Sequence, residues 1–142
     1  MPTGKSFRVA PSHINVYYNL ANLVKMDPLR LEEAYGLYQT ALSMKPDFVE
    51  AHLNKGDILL KMNRTHDAKV SFEKALHYNP AYADALFNLG TAYIQLGDKK
   101  EAERCYRQAL MVERNHNYAM ISLAMLLKER NEKSKKEEAA SL

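Results

Sequence analysis

A spacing of 34 residues governs what this chain can fold into. In Ala83 to Arg114, ADALFNLGTAYIQLGDKKEAERCYRQALMVER, the residues Leu86, Leu89, Gly90 and Tyr93 form one helical stripe, and Ala102, Tyr106 and Ala109 form a second. Thirty-four residues earlier the same places hold His52, Lys55, Gly56, Leu59, Ala68, Phe72 and Ala75. After a further shift of 35 for the first helix and 34 for the second come Tyr17, Leu20, Ala21, Val24, Ala34, Tyr38 and Ala41. The unit is a pair of helices with two apolar stripes. Such a pair cannot bury its hydrophobic face alone, and stacked neighbours bury it jointly.

The small residues specify the packing. The eighth position of the unit reads Ala21, Gly56, Gly90 and Ala124, so the requirement there is a small side chain, not a positive φ. Glycine within a helix costs about 0.5–1 kcal/mol relative to alanine, and a close helix contact offsets that cost. The alanines at 34, 68 and 102 and at 41, 75 and 109 carry the same message, with an aromatic ring between them at Tyr38, Phe72 and Tyr106. A larger side chain at these places overpacks the contact, at about 1–3 kcal/mol.

Leu89-Gly90-x-x-Tyr93, then Ala102-x-x-x-Tyr106, and in the preceding copy Ala68-x-x-x-Phe72 followed by Pro80, resemble the tetratricopeptide repeat (TPR) pattern over residues 14 to about 127. The departures are His52 and Lys55 in place of an apolar pair, Arg114 in place of a closing proline, and one extra residue near Asp27-Pro28. The resemblance implies an all-α superhelical solenoid of antiparallel helix pairs, about three repeats plus one extra helix. The expected division is an extended segment 1–13, repeats at 14–48, 49–82 and 83–116, a terminal helix at 117–130 and a charged tail at 131–142.

Local signals place the helices. The first runs from about Ile14 to Met26, and Asp27-Pro28 supplies an N-cap with proline at the first helical position of the second, which ends near Met44. The third covers about Phe48 to Met62, with Asn63 standing where Gly97 stands in the next copy, at a left-handed C-cap. The fourth runs from about Thr65 to Tyr78 and the fifth from about Tyr82 to Leu96; Asp98 with Glu101 forms a capping box for the sixth, to about Val112. The seventh spans about His116 to Lys128. Its Tyr118, Met120, Ile121, Leu123, Met125, Leu126 and Leu127 are more apolar surface than one neighbouring pair covers. That face is expected to be covered by the tail folding back or by a second copy, giving a homodimer through 116–128. Residues 128–142, highly charged and without an apolar stripe, are expected to fray.

With 142 residues, 46% of them apolar, the chain can build a core, and it holds no apolar run long enough to span a membrane. No direct membrane contact by this segment is expected. Residues 1–13 have no apolar core of a secretory signal. The net charge of +3 resides in the ends, since residues 14–127 hold 13 basic and 13 acidic groups. A neutral body lacks the basic stripe that nucleic acid requires, so none is expected as a partner. Cys105 is the only cysteine, which excludes an internal disulfide and a cysteine metal cluster; it is expected to be a buried, inert thiol.

The five histidines show no metal-ligand spacing, and no phosphate loop or nucleophile elbow is present. Glu32-Glu33 and similar pairs lie on solvated helix faces. No catalytic residue, metal or cofactor is expected, and the chain alone is not expected to be an enzyme.

The TPR resemblance implies a concave groove lined by the first helix of each pair. Its sixth position reads Asn19, Asn54, Asn88 and Ser122. An asparagine amide can donate and accept at once, so such a ladder can hold the backbone of an extended polypeptide. Asn22, Asp57, Phe87 and Thr91, with Tyr18, Lys25, Leu53, Leu60, Ile94, Ile121 and Met125, complete a lining that is apolar with few charges. Tyr18 and Leu53 stand where chaperone-binding TPRs carry lysine, which disfavours a chaperone adaptor.

The runs HINVYYNLANLV (His13–Val24), RLEEAYGLYQTALSMKPDF (Arg30–Phe48) and LLKMN (Leu59–Asn63) resemble the lumenal TPR region of the transmembrane and TPR-containing O-mannosyltransferases, the TMTC family. That resemblance implies a place on the lumenal side of the endoplasmic reticulum and a connection with mannose transfer from dolichyl-phosphate mannose to Ser or Thr of cadherin-type proteins. Nothing here matches the family's catalytic membrane portion. Pro11 stands where a preceding repeat would close, so the chain is expected to begin within a longer array. Asn63-Arg64-Thr65 is an N-glycosylation sequon in an expected surface turn. A free-standing TPR adaptor, cytoplasmic and complete as given, is the alternative.

Overall fold

The computed structural model describes residues 11–141, and all regular structure among them is helical. Seven α-helices follow one another: α1 Pro11–Val24, α2 Leu31–Met44, α3 Val49–Lys61, α4 Thr65–Tyr78, α5 Ala83–Gln95, α6 Lys99–Val112 and α7 Asn117–Ala140. A short 3-10 turn, Pro28–Arg30, precedes α2. The chain divides into two compact units, one ending at Pro80 and the other beginning at Ala81. The boundary falls beside the expected end of the second repeat, in keeping with the pairing α1/α2, α3/α4 and α5/α6. The all-α architecture of helix pairs is the one expected.

The turns inside the second and third pairs are chemically equivalent. Asn63 (φ 61°) and Gly97 (φ 82°) take the left-handed conformation that ends a helix, as expected. In each, the following N–H reaches back five residues: Arg64 N–H to Leu59 O at 2.8 Å, and Asp98 N–H to Tyr93 O at 2.9 Å. That bond satisfies a carbonyl the helix would otherwise leave open. Asp98 Oδ1 then accepts the Glu101 N–H at 3.2 Å and starts α6. The first pair closes differently because it has one more residue and a proline. Asp27 Oδ1 accepts the Leu29 N–H at 2.9 Å, and the 3-10 turn absorbs the extra length, so α2 begins at Leu31 and not at Pro28 as expected.

In the first unit the core gathers Ala21, Val24, Ala34, Tyr38, Leu42, Phe48, Ala51 and Ile58. In the second, Ala102, Tyr106 and Leu126 pack with Phe87, Tyr93 and Leu123. The small eighth position is explained within each pair. A methyl on Gly56 would lie 2.7 Å from Phe72 Cδ1, and one on Gly90 would lie 2.6 Å from Tyr106 Cε1. The ring of the second helix therefore occupies the space a β-carbon would need. Cys105 is buried, as expected.

Three expectations at the ends change. The segment 1–13 is not wholly extended, because α1 begins at Pro11; residues 1–10 lie outside the described residues. The tail neither frays nor folds back, since α7 runs unbroken to Ala140, with its exposed second half rich in helix-favouring Lys, Glu and Ala. Bonds from Lys99 Nζ to Glu129 Oε1 (2.9 Å) and from Arg130 to Glu103 Oε1 (2.8 Å) tie its middle to α6. On the packed side Ala119 and Leu126 are buried, while Tyr118 (71% exposed), Met120, Ile121 and Met125 (66%) face outward.

Candidate functional site: the first helices of the pairs

Charge is distributed unequally between the two helices of the first and third pairs. Helix α1 contains no Lys, Arg, Asp or Glu, and α5 contains only Asp84, whereas α6 carries Lys99, Lys100, Glu101, Glu103, Arg104 and Arg107. Helices α1 and α5 thus present amides, hydroxyls and apolar groups, whereas α3, the first helix of the second pair, carries Glu50, Lys55, Asp57 and Lys61.

In the first unit these groups form a bonded network. Asn54 Nδ2 donates to the Tyr18 hydroxyl at 2.9 Å, and Asn54 Oδ1 accepts from Lys25 Nζ at 3.1 Å. The Tyr38 hydroxyl donates to Asn22 Oδ1. Burial pushes the Lys25 ammonium below its ordinary pKa, partly offset by the Asp57 carboxylate, and burial pushes the Tyr38 phenol well up. Asp57 also pairs with Lys61 at 3.5 Å. The Tyr18 ring rests on Phe48, with centroids 4.6 Å apart, so the network stands on the core. Asn19 is exposed on the same helix.

The structure refines the asparagine expectation at Asn54. Each polar end of its amide already holds one partner within the chain, which leaves one N–H and one lone pair for a ligand backbone.

In the second unit the surface is aromatic and apolar. Phe87 lies 5.8 Å from Tyr106, 5.4 Å from His116 and 5.9 Å from Tyr118, centroid to centroid. Ile94, Tyr106, Ser122, Met125 and Leu126 line a depression of about 500 Å³, together with the charged Lys128, Glu129 and Glu132. Burial raises the Tyr106 phenol, with the Thr91 and Ser122 side chains opposing the rise. Asn88 is half-buried, and Thr91 Oγ1 bonds its own helix at Phe87 O, 3.3 Å away.

Asp84, Glu113 and His116 bring ligand atoms within 4.8 Å of one another, a grouping not anticipated from spacing. The imidazole decides its nature. His116 Nδ1 accepts the Ala119 N–H at 3.1 Å as the N-cap of α7, so the ring proton is on Nε2, which donates to Asp84 Oδ1 at 2.8 Å. A metal-bound histidine needs its other nitrogen to donate. A cation on Nε2 would set N–H against N–H at the first turn of α7, so the cluster is a helix cap.

Asn63 is exposed at its turn and open to solvent for modification. Among the described residues no helix is long and apolar enough to cross a membrane.

Two family models, both described as tetratricopeptide repeat, match residues 37–70 and 63–126, and together they span more than half of the chain. Protein O-mannosyl-transferase TMTC3 of Homo sapiens is 51% identical over 71 residues, covering 49% of this chain and 8% of that protein. Tmtc3 of Drosophila melanogaster is 57% identical over 58 residues, covering 41% of this chain and 6% of its own length. The chain thus spans less than a tenth of these relatives. The first TPR of Spaghetti (RPAP3), solved with the HSP90 peptide SRMEEVD, superposes with a TM-score of 0.80 at 19% identity, over 88% of this chain and 98% of that one. At that identity the likeness is one of fold.

Proposed function

We propose that this chain, which belongs to the tetratricopeptide repeat family and resembles the TMTC proteins, is a binding module for extended polypeptide. The observation that carries this reading is the near absence of charge from α1 and α5, the first helices of the first and third pairs, beside a strongly charged α6; α3 departs from it with Glu50, Lys55, Asp57 and Lys61. Exposed or half-buried Asn19, Asn88, Thr91 and Ile94 offer amide and apolar contacts to a backbone and to uncharged side chains. The peptide carried by the RPAP3 domain supports the principle that this fold holds extended chains.

Identity to TMTC3 supports a narrower reading. The module is the lumenal repeat portion of a protein O-mannosyltransferase and presents acceptor segments of cadherin type to a catalytic portion outside this chain. Asn63 is then an N-glycosylation site in the lumen. The exposed face of α7 is the contact for a second copy. A free-standing adaptor remains the alternative, and a transcript read upstream of Met1 separates the two: apolar spans favour the transferase, a start codon without them the adaptor.

Binding is tested by titrating an extended uncharged peptide from a cadherin-type acceptor into the purified chain. Replacing Asn19, Asn54 and Asn88 together by Ala should weaken it about tenfold or more, at roughly 0.5–1.5 kcal/mol per hydrogen bond. Equal affinity of the triple variant removes the asparagines from the site.

A further inference from the structure

His52 and Lys55 occupy places where the third copy has Leu86 and Leu89, and both of those leucines are buried. The fold therefore has no need of polar groups there. In the first unit the exchange coincides with a cavity of about 510 Å³ lined by α2, the Pro46 turn, α3 and α4. Four of its lining residues are basic or can become so, His52, Lys55, Lys74 and His77, and no carboxylate lines it. Gln39, Leu42, Ser43 and Pro46 make the neutral wall.

The cavity gathers like charges without an opposing one in its lining. Lys55 is half-buried, and its ammonium lies over the Tyr35 ring at 5.5 Å. Burial and the nearby Lys74 charge push its pKa down, partly opposed by the Asp67 carboxylate outside this cavity. His52 is 5% exposed and parallel to the Tyr78 ring at 6.0 Å. Its Nε2 lies 2.7 Å from Pro46 O and donates to it, while its Nδ1 is buried without a hydrogen-bond partner. The Lys55 charge and the orphaned His52 nitrogen, both at places that leucine fills in the third copy, with the like charge of Lys74 nearby, are a standing cost to folding. An anion in the cavity reverses the sign of the charge term.

We propose that this cavity binds a small phosphate-ester ligand, its oxyanion held by Lys55 and Lys74 with His77 beside them, and its carbon body against Leu42, Pro46 and Tyr78. Lysine holds such a group as a point charge with three donors. The site is independent of the polypeptide surface on the first helices.

The test is an amide NMR titration of the ¹⁵N-labelled chain with phenyl phosphate and, separately, inorganic phosphate, at about 0.15 M sodium chloride to screen exposed charges. Saturable shifts should centre on Lys55, Lys74 and His77, with phenyl phosphate binding several-fold tighter. Lys55→Leu, which installs the third copy's residue, and Lys74→Gln, on an exposed face, should each lower affinity about tenfold or more while leaving the remaining spectrum in place. Non-saturating shifts spread over all lysines overturn the site, as does unchanged affinity in both variants. Equal affinity for the two probes overturns the assignment of the carbon body.

Discussion

Replacing Gly56 by Ala sets two known effects against each other. In a helix interior, alanine is favoured over glycine by about 0.5–1 kcal/mol, so propensity alone makes the variant more stable. The added methyl, however, would sit 2.7 Å from Cδ1 and 2.8 Å from Cζ of Phe72. That ring is 0% exposed and has nowhere to move. Overpacking of this kind costs about 1–3 kcal/mol, so the net expectation is a loss of up to about 2.5 kcal/mol. Gly36 supplies the internal control, because it lies within α2 and a methyl there meets nothing within 4 Å. Gly36→Ala should gain about 0.4–1 kcal/mol. Urea unfolding of the two variants beside the parent should move the midpoint in opposite directions, with unchanged slope. Phe72→Leu should cost less in the Gly56→Ala background than alone, since a smaller side chain relieves the contact. If Gly56→Ala gains stability as Gly36→Ala does, the ring does not hold that space and the packing argument is wrong.

Other perturbations read other parts of the structure. Burial holds His52 below the ordinary histidine value of 6.5, so the unfolded chain takes up a proton there before the folded one does. Stability should therefore fall as pH drops below about 6.5, in proportion to that uptake, with the Lys55 and Lys74 charges adding to the cost. A pH series on His52→Leu should show a flatter slope; an identical slope assigns the effect elsewhere. Gly97→Ala should cost about 1 kcal/mol through its positive φ, whereas Asn63→Gly should be nearly neutral or stabilising, both read by thermal unfolding. Ile121→Glu with Met125→Glu should convert a dimer to monomer in light scattering without lowering thermal stability, because both side chains face outward. Leu126 is unsuited to that test, since it packs against Tyr106 in the core.

Much of this architecture was legible because a repeat states its rule several times. Gly56 and Gly90 read with Ala21 and Ala124 announced a close contact, and the structure names the ring on the other side. Asn63 read with Gly97 announced a left-handed turn. The end of α7 was misjudged because the absence of an apolar stripe argues against burial and not against a helix. Lys, Glu and Ala sustain one on propensity, and Lys99–Glu129 and Glu103–Arg130 pairs anchor its middle. The state of Asn54 was not legible, because periodicity gives the face of a residue and not the length of its neighbours' side chains. Lys25 and Tyr18 reach it from elsewhere in the chain. The basic cavity escaped for a related reason: His52 and Lys55 stood out against the repeat, but Lys74 and His77 are unremarkable until α3 and α4 bring them together.

The claim that the first helices hold extended polypeptide is tested most directly by mapping, residue by residue, where such a peptide perturbs the labelled chain. A cadherin-type segment should shift Asn19, Asn54, Phe87, Asn88 and Thr91 in a saturable manner and leave the charged outer residues of α6, such as Arg104 and Arg107, in place. Saturable shifts confined to the second helices, with those five residues unmoved, would contradict the account.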